Sequence, residues 1–296
     1  TGKRVMIVGT GPAGLAAAAE LAIDGHAVFL YETLHEPGGV LVYGIPEFRL
    51  PNEIVEYEIS RIMALGVTVE VNRPIADVRE HMRRHDFQAA FVATGAGTPK
   101  YLGVPGESLT GVYTANEFLV RVNFMKAYRF PEHTTPAPHV EGKRVVVFGG
   151  GNVAMDSARC ALRMGAESVT IMYRRSADEI PARLEEHLVA QREGVLFQYL
   201  VTPYELLGED GRLREVGYYD NVLGEPDEDG RRRPVAVMEC PRQAPADIAI
   251  IAISQDPNPM LDTSAYDLDR SGRTHSRRTW RACMRVGMPW PGRAAR

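Results

Sequence analysis

The 296-residue chain has little that would commit it to a membrane, a secretory route or a metal centre. No run approaches the ~18 apolar residues that a membrane-spanning helix needs. No charged-then-apolar leader opens the chain, which starts inside a strand pattern. The three cysteines, Cys160, Cys240 and Cys283, are scattered, which excludes a C-x-x-C pair, a thiolate metal cluster and a disulfide framework. These absences predict a cytoplasmic protein with no membrane partner. An initiator Met is also missing, which reads as the mark of a fragment. Acid is absent in one region: Arg270 to Arg296 holds eight arginines and no Asp or Glu. The remainder carries 26 basic against 38 acidic side chains, a balance that argues against nucleic acid as a partner.

What is present is a pattern at the start. Val5 to Val8 is a short apolar run ending at Gly9; Gly11 and Gly14 follow, then an Ala/Leu-rich helix, a stop at Gly25, and a second apolar run closing on Glu32. Strand, glycine turn, helix, strand and acid in this order form a dinucleotide-binding fingerprint. Gly9 permits the turn, Gly11 leaves a pyrophosphate room, and Gly14 lets the helix lie close to the strands. The helix N-terminus offers N–H groups and partial positive charge to phosphates. Glu32 is placed to accept from both hydroxyls of an adenosine ribose.

Between Glu36 and Pro51 a Gly- and Pro-rich loop is more apolar than solvent exposure favours, so it packs either on a flat ligand ring or on its own core. Helices are predicted over 52–65, 76–85 and 115–128, and strands over 67–71 and 87–93. His81 and His85 share a helix face, but no third ligand accompanies them, so they read as solvent-facing. The strand to Ala93 ends in small residues, Thr94 to Gly97, which suits close approach of a ligand. Residues 131–140, with three prolines, read as a linker.

The opening pattern then repeats. Val145 to Phe148 leads into Gly149-Gly150-Gly151-Asn152-Val153-Ala154, a small-residue helix over 153–164, a stop at Gly165 and a strand over 169–173. Laid on the first copy, Glu32 falls on Arg174, followed by Arg175. An acid there accepts from a free ribose, whereas arginines grip a 2′-phosphate. The second site is therefore expected to prefer NADP(H). A charged helix over 181–192 follows, then strands over 195–200, 213–220, 234–238 and 247–253.

Longer stretches carry a resemblance. Gly38 to Val55 (GGVLVYGIPEFRLPNEIV), Ala115 to Asn123, Gly149 to Ser176 and Gly224 to Val235 resemble the small (beta) subunit of NADPH-dependent glutamate synthase and its relatives. Those relatives include the flavoprotein subunit of ferredoxin:NADP oxidoreductase and the FAD/NADPH half of dihydropyrimidine dehydrogenase. The resemblance implies an α/β fold of two Rossmann-like, three-layer dinucleotide-binding domains. The NADP domain (141–254) is inserted in the FAD domain (1–140, returning over 255–296). It implies that Gly9, Gly11, Pro12, Ala13, Gly14 and Glu32 hold FAD, with Gly39, Val40 and Arg49 near the flavin and Thr94 and Gly95 at a domain crossing. For NADPH it implies Gly149, Gly150, Gly151, Asn152, Val153, Arg174, Arg175 and Arg183, with Ala252, Ile253 and Ser254 beside the nicotinamide. Ser254 replaces the glycine usual there.

The implied activity is hydride transfer from NADPH to FAD, with electrons leaving to an iron–sulfur domain or subunit and a larger catalytic subunit. No side-chain acid or nucleophile is expected to take part. Past Asp269 the family's Gly-Gly-Asp turn and final helix are not recognisable. This abrupt stop favours an altered reading frame or truncated gene over a basic tail for an acidic partner. The competing reading is a nucleotide-binding remnant without turnover.

Overall fold

The protein was analysed as a computed structural model that describes residues 2–126, 129, 138–226 and 232–257. The stretch from 270 onward and most of the expected linker lie outside these residues. Among the described residues the chain forms two compact units, the first from residues up to 98 apart from 44–46 together with 256–257, the second from 44–46 and 99–255.

The first unit runs β1 (Arg4–Val8), α1 (Pro12–Ile23), β2 (Ala27–Tyr31), α2 (Val40–Tyr43), α3 (Asn52–Ala64), β3 (Thr68–Glu70), α4 (Val78–Arg84) and β4 (Ala89–Val92), with a two-residue β5 (Thr98–Pro99) at its end. Its sheet has the order β3-β2-β1-β4, and every pairing is parallel. Four consecutive buried apolar residues in β1 explain why it is central, because a parallel strand is covered on both faces. Ile7 faces α1 and α3 through Leu15, Ala18, Val55 and Ile59. Met6 and Val8 face the other way, toward Val78, Phe87 and Tyr31. Burying each such side chain stabilises the unit by about 1.5–3 kcal/mol. Pro12 opens α1, where its missing N–H costs nothing, and Gly25 ends it with φ +83. Asp77 caps α4 by accepting from the Glu80 N–H at 2.8 Å.

The second unit runs β6 (Val112–Thr114), α5 (Ala115–Leu119), β7 (Arg144–Phe148), α6 (Asn152–Arg163), β8 (Ser168–Tyr173), α7 (Leu184–Glu193), β9 (Leu196–Tyr199), β10 (Val201–Glu209), β11 (Arg212–Pro226), β12 (Arg232–Ala236), β13 (Arg242–Pro245) and β14 (Ile248–Ile251), with a short β15 (Gln255–Asp256) at its end. Five strands form a parallel sheet in the order β6-β14-β7-β8-β9. One face carries α5, α6 and α7 over Val145, Val147, Val169 and Ile171. The other is covered by an antiparallel sheet, β10-β11-β12 with β13 also on β11, through Leu206, Leu213, Val216 and Tyr218. Three layers result, with a sheet replacing helices on one side.

Two ion-paired clusters brace this unit. Arg144 donates from its side chain and backbone to Asp247, at 2.9–3.0 Å, and holds that carboxyl down at about 2. Arg159 and Arg163 on α6 clamp Glu193 on α7, whose carboxyl is likewise held at about 2.

Several expectations change. Residues 99–140 do not belong with the first unit as a whole: β6 pairs with β14, and α5 packs in the second unit's core. The helix begun by α5 continues as a wider π-type turn, Val120–Phe124, and stops at Met125 rather than at 128. Strand β10 lies where no strand was predicted, because Pro203 and Gly208 mask its alternation. The 36–51 loop contains the single-turn α2. His81 is not solvent-facing: its ring packs edge-on to Tyr31, centroids 4.8 Å apart, and burial pushes its basicity down. Of the two, His85 alone is exposed. The aromatic surface of Tyr31 and Phe87 under α4 outweighs the imidazole's preference for water.

Candidate functional site

In each unit a central strand, β1 or β7, ends in a glycine turn beside the point where the strand order reverses, at β1/β4 and at β7/β14. Gly9 (φ +103) lies against the Ala93 carbonyl and Gly149 (φ +133) against the Ala252 carbonyl, so a methyl on either would collide with backbone. The hydrogen bonds repeat: Ala93 N–H donates to Val8 and Ala252 N–H to Phe148, both at 2.8 Å. Thr94 and Gly95 therefore correspond to Ile253 and Ser254, and all four are exposed at the strand ends. Gly95 has φ +68, whereas Ser254 lies outside the left-handed region, so the serine fits without strain.

The middle glycines behave differently from the first. A Cβ built on Gly11 or Gly151 meets nothing within 4 Å. This open side, at the N-terminus of α1 or α6, is where backbone N–H groups and the positive helix end can receive an anion. Pro12, Ala13 and Val153 are exposed beside it. Gly14 packs on the Gly9 carbonyl with no room for a methyl; its counterpart, Ala154, carries one and is fully buried.

A second segment is tied over each turn. In the first unit Gly38 N–H donates to Thr10 Oγ1 at 3.0 Å. Gly39 (φ +55) sits so close that a methyl would stand 2.9 Å from Gly11 Cα. Val40 is exposed at the start of α2, and Arg49 is half-buried on the following loop. In the second unit Ala182 N–H donates to the Gly150 carbonyl at 3.0 Å, and Arg183 N–H donates to Asn152 Oδ1 at 2.9 Å. Arg183 is thus held beside the N-terminus of α6, exposed.

The acid position carries the main difference. Glu32 is only 7% exposed. Its Oε2 accepts from Thr10 N (3.0 Å) and Thr10 Oγ1 (2.5 Å), and its Oε1 from Leu34 N (3.0 Å). A carboxylate has about four acceptor sites, so about one remains, on Oε1. That leaves room for about one further donor.

The alignment of Glu32 with Arg174 is off by one residue. Val8 pairs with Tyr31, and Phe148 pairs with Met172. The residue after each partner is Glu32 in one unit and Tyr173 in the other. Counted without gaps from Gly9 and Gly149, Glu32 would fall on Met172. One extra residue before β8 moves it to Tyr173, since Gly165 is followed by Ala166 and Glu167 before Ser168 whereas Gly25 is followed by His26 alone before Ala27. The second extra residue that Arg174 would need is absent. Side chains confirm the register. Thr10 touches Glu32; its counterpart Gly150 lies under the Tyr173 ring, where a Cβ would be 2.7 Å from Cδ2. Tyr173 is anchored by its hydroxyl, which donates to the Glu179 carbonyl at 2.8 Å.

Arg174 is the next residue and is exposed. Arg175 is not: at 8% exposure its Nε donates to the Arg232 carbonyl at 2.8 Å. The two arginines face different surroundings despite adjacency. Sequence reasoning missed Thr10, Tyr173 and Asn221, the last of which donates to the Arg174 carbonyl. The signal for the first two was the contrast of Thr10 with Gly150 at the centre of the turns.

No group of three or more His, Cys, Asp or Glu suited to a metal occurs among the described residues. Cys160 is buried in α6 and its thiol is pushed up to about 12, mainly by burial, so it is no nucleophile. No helix among the described residues is long and apolar enough to cross a membrane.

Known proteins share this arrangement. The chain is 43% identical over 256 residues to the NADP(+)-dependent formate dehydrogenase subunit beta of Moorella thermoacetica, covering 86% of this chain and 35% of that one. It is 39% identical over 284 residues to the glutamate synthase [NADPH] small chain of Halomonas elongata, covering 92% of this chain and 58% of that one. The chain thus spans between about a third and three-fifths of these relatives. The structure of Mycobacterium tuberculosis FprA in complex with NADPH has the same fold, with a TM-score of 0.75 at 21% identity over 92% of this chain and 74% of that one. The model of the pyridine nucleotide-disulphide oxidoreductases matches residues 3–279. With its paired glycine turns and parallel sheets, the chain belongs to the pyridine nucleotide-disulphide oxidoreductase family.

Proposed function

We propose that the first unit holds FAD, that the second holds NADPH, and that the chain is the NADPH-oxidising flavoprotein part of a larger oxidoreductase. The observation that carries this reading is the contrast between the two acid positions: Thr10 with Glu32 in one turn, Gly150 with Tyr173 and then Arg174 in the other. A buried carboxylate with one spare acceptor site suits a free ribose. A ring without charge, followed by an exposed arginine, suits a 2′-phosphate. The open faces of Gly11 and Gly151 fit a pyrophosphate in both turns.

When bound, the nicotinamide and the flavin themselves supply the hydride chemistry. The chain's residues bind and orient. Gly9, Gly11, Pro12, Ala13 and Gly14 shape the first pyrophosphate site, with Gly39 and Val40 over it, Arg49 on the flavin side and Thr94 and Gly95 at the strand end. Gly149, Gly150, Gly151, Asn152 and Val153 shape the second, with Arg174 and Arg183 toward the 2′-phosphate and Arg175 behind them. Ala252, Ile253 and Ser254 border the nicotinamide. The relatives' names as a subunit beta and a small chain support a role as one component among several. We assign the electrons' exit to an iron–sulfur partner and a larger subunit, as in glutamate synthase.

The test is an anaerobic titration of the purified chain. Bound flavin absorbance that bleaches with NADPH, and far less with NADH, is the expected result. A protein that binds NADPH but retains no flavin even after reconstitution overturns the catalytic reading for this chain.

A further inference from the structure

Arg174 is exposed at the end of β8, and an exposed arginine is a poor discriminator unless its backbone is fixed. The second unit's antiparallel sheet does the fixing. Asn221, on β11, is 5% exposed. Its Nδ2 donates to the Arg174 carbonyl and to Thr202 Oγ1, both at 2.8 Å. Next to it, Leu200 takes φ +57, an unusual conformation for a leucine. In that conformation Leu200 N–H donates to the Arg175 carbonyl at 3.1 Å, while its own carbonyl accepts from Asn221 N–H at 2.6 Å. Arg175 completes the set through its Nε bond to the Arg232 carbonyl on β12. Both peptide carbonyls of the Arg174-Arg175 pair are therefore held, one by a buried side chain of the antiparallel sheet and one by the strained backbone of Leu200, where β9 passes into β10 of that sheet.

We infer that Asn221 is a positioning residue for 2′-phosphate discrimination, acting through the Arg174 backbone, and that the antiparallel sheet serves as the brace of the specificity loop. The inference rests on the assignment of Arg174 to the 2′-phosphate. The Asn221 amide touches no nucleotide. It sets where the guanidinium starts from, so less of the arginine's conformational freedom has to be lost on binding.

The test is calorimetric binding of NADP+ and NAD+ to the full chain and to Asn221→Leu, Arg174→Ala, their double variant and Thr202→Val. Asn221→Leu keeps the volume and removes the donor. It should weaken NADP+ about five- to tenfold, the loss of one hydrogen bond's worth of positioning, and leave NAD+ unchanged. Thr202→Val, a milder change that frees the other anchor of the same amide, should lower the NADP+/NAD+ ratio in the same direction by about two- to threefold. In the Arg174→Ala background, Asn221→Leu should have no further effect on that ratio. Equal loss of NADP+ and NAD+, or full additivity with Arg174→Ala, overturns the inference and leaves the Arg174 assignment standing. So does an unchanged ratio in Thr202→Val if Asn221→Leu does not fold. An unchanged ratio in Arg174→Ala alone overturns both.

Discussion

Exchanging the facing pair at the second turn should convert its nucleotide preference, and the geometry dictates that both members change together. Gly150→Thr alone places a Cβ 2.7 Å from Tyr173 Cδ2 and 3.0 Å from Ile180 Cγ1. The ring cannot swing away freely, because its hydroxyl is fixed on Glu179. Such overpacking should cost about 1–3 kcal/mol. Tyr173→Glu alone buries a carboxylate without the threonine that satisfies Glu32 in the first unit, which should cost a similar or larger amount. Together the two changes rebuild the Thr10–Glu32 pair, two hydrogen bonds at 2.5 and 3.0 Å, and should recover about 1–3 kcal/mol relative to the sum of the single losses. The new carboxylate would repel a doubly charged 2′-phosphate bound at this turn, and a separation of ~5 Å illustrates the scale. At effective dielectric constants between 80 and 20 that repulsion is roughly 2–7 kcal/mol, more than tenfold in affinity at its lower bound. Thermal unfolding of the four proteins, with calorimetric titration of NADP+ and NAD+, measures both effects. A double variant no more stable than the worse single variant, or one still favouring NADP+, would refute the equivalence of Thr10–Glu32 with Gly150–Tyr173.

Glu32→Ala should strip FAD from the chain and leave NADP+ affinity intact, since Thr10 and Leu34 lose their acceptor in the first unit only; flavin absorbance after gel filtration, set beside NADP+ titration, reads both. Asp247 and Glu193 have folded pKa values lowered to about 2, so their stabilisation is present above the unfolded values near ~4 and is lost as pH falls through about 2. Asp247→Asn should therefore lower the melting temperature at pH 7, with the gap to the parent protein narrowing below about pH 4; a gap constant from pH 7 to 2 would contradict the pairing. Under native conditions iodoacetamide should modify the exposed Cys240 and spare Cys160, as peptide mass spectrometry would report, and rapid labelling of Cys160 would contradict its burial.

Much of this was readable in the sequence, and the reasons are physical. Glycine at positions 9, 14 and 149 is dictated by local backbone or close packing, so spacing alone reveals it. The second copy was visible for the same reason. Its register was not, because the turn before β8 has no apolar periodicity to fix its length: it holds one residue more than the first copy, where the match of Glu32 to Arg174 assumes two. Arg175 shows a further limit. Adjacent arginines look equivalent on paper, yet a carbonyl on a strand 57 residues away fixes one of them. His81 went the same way: whether α4 turns it inward depends on Tyr31 and Phe87, which reach it only through the fold. Strand β10 and the boundary after residue 98 are likewise set by pairings between distant segments, which no local pattern encodes.

The strand order of the second unit also governs the sequence of events during synthesis. Every strand of the first unit's sheet is made by residue 92, so that sheet can close while the rest of the chain is still being translated. The second sheet cannot. β14 is the last of its five strands to emerge and lies between β6 and β7, the only link joining β6 to the others. Until Ile251 leaves the ribosome, β6 has no neighbour and the inner edge of β7 stays open to wrong partners. At elongation rates of roughly 5–20 residues per second, that gap between β7 and β14 lasts about 5–20 seconds. During it the nascent second unit carries an open strand edge that a chaperone would shield.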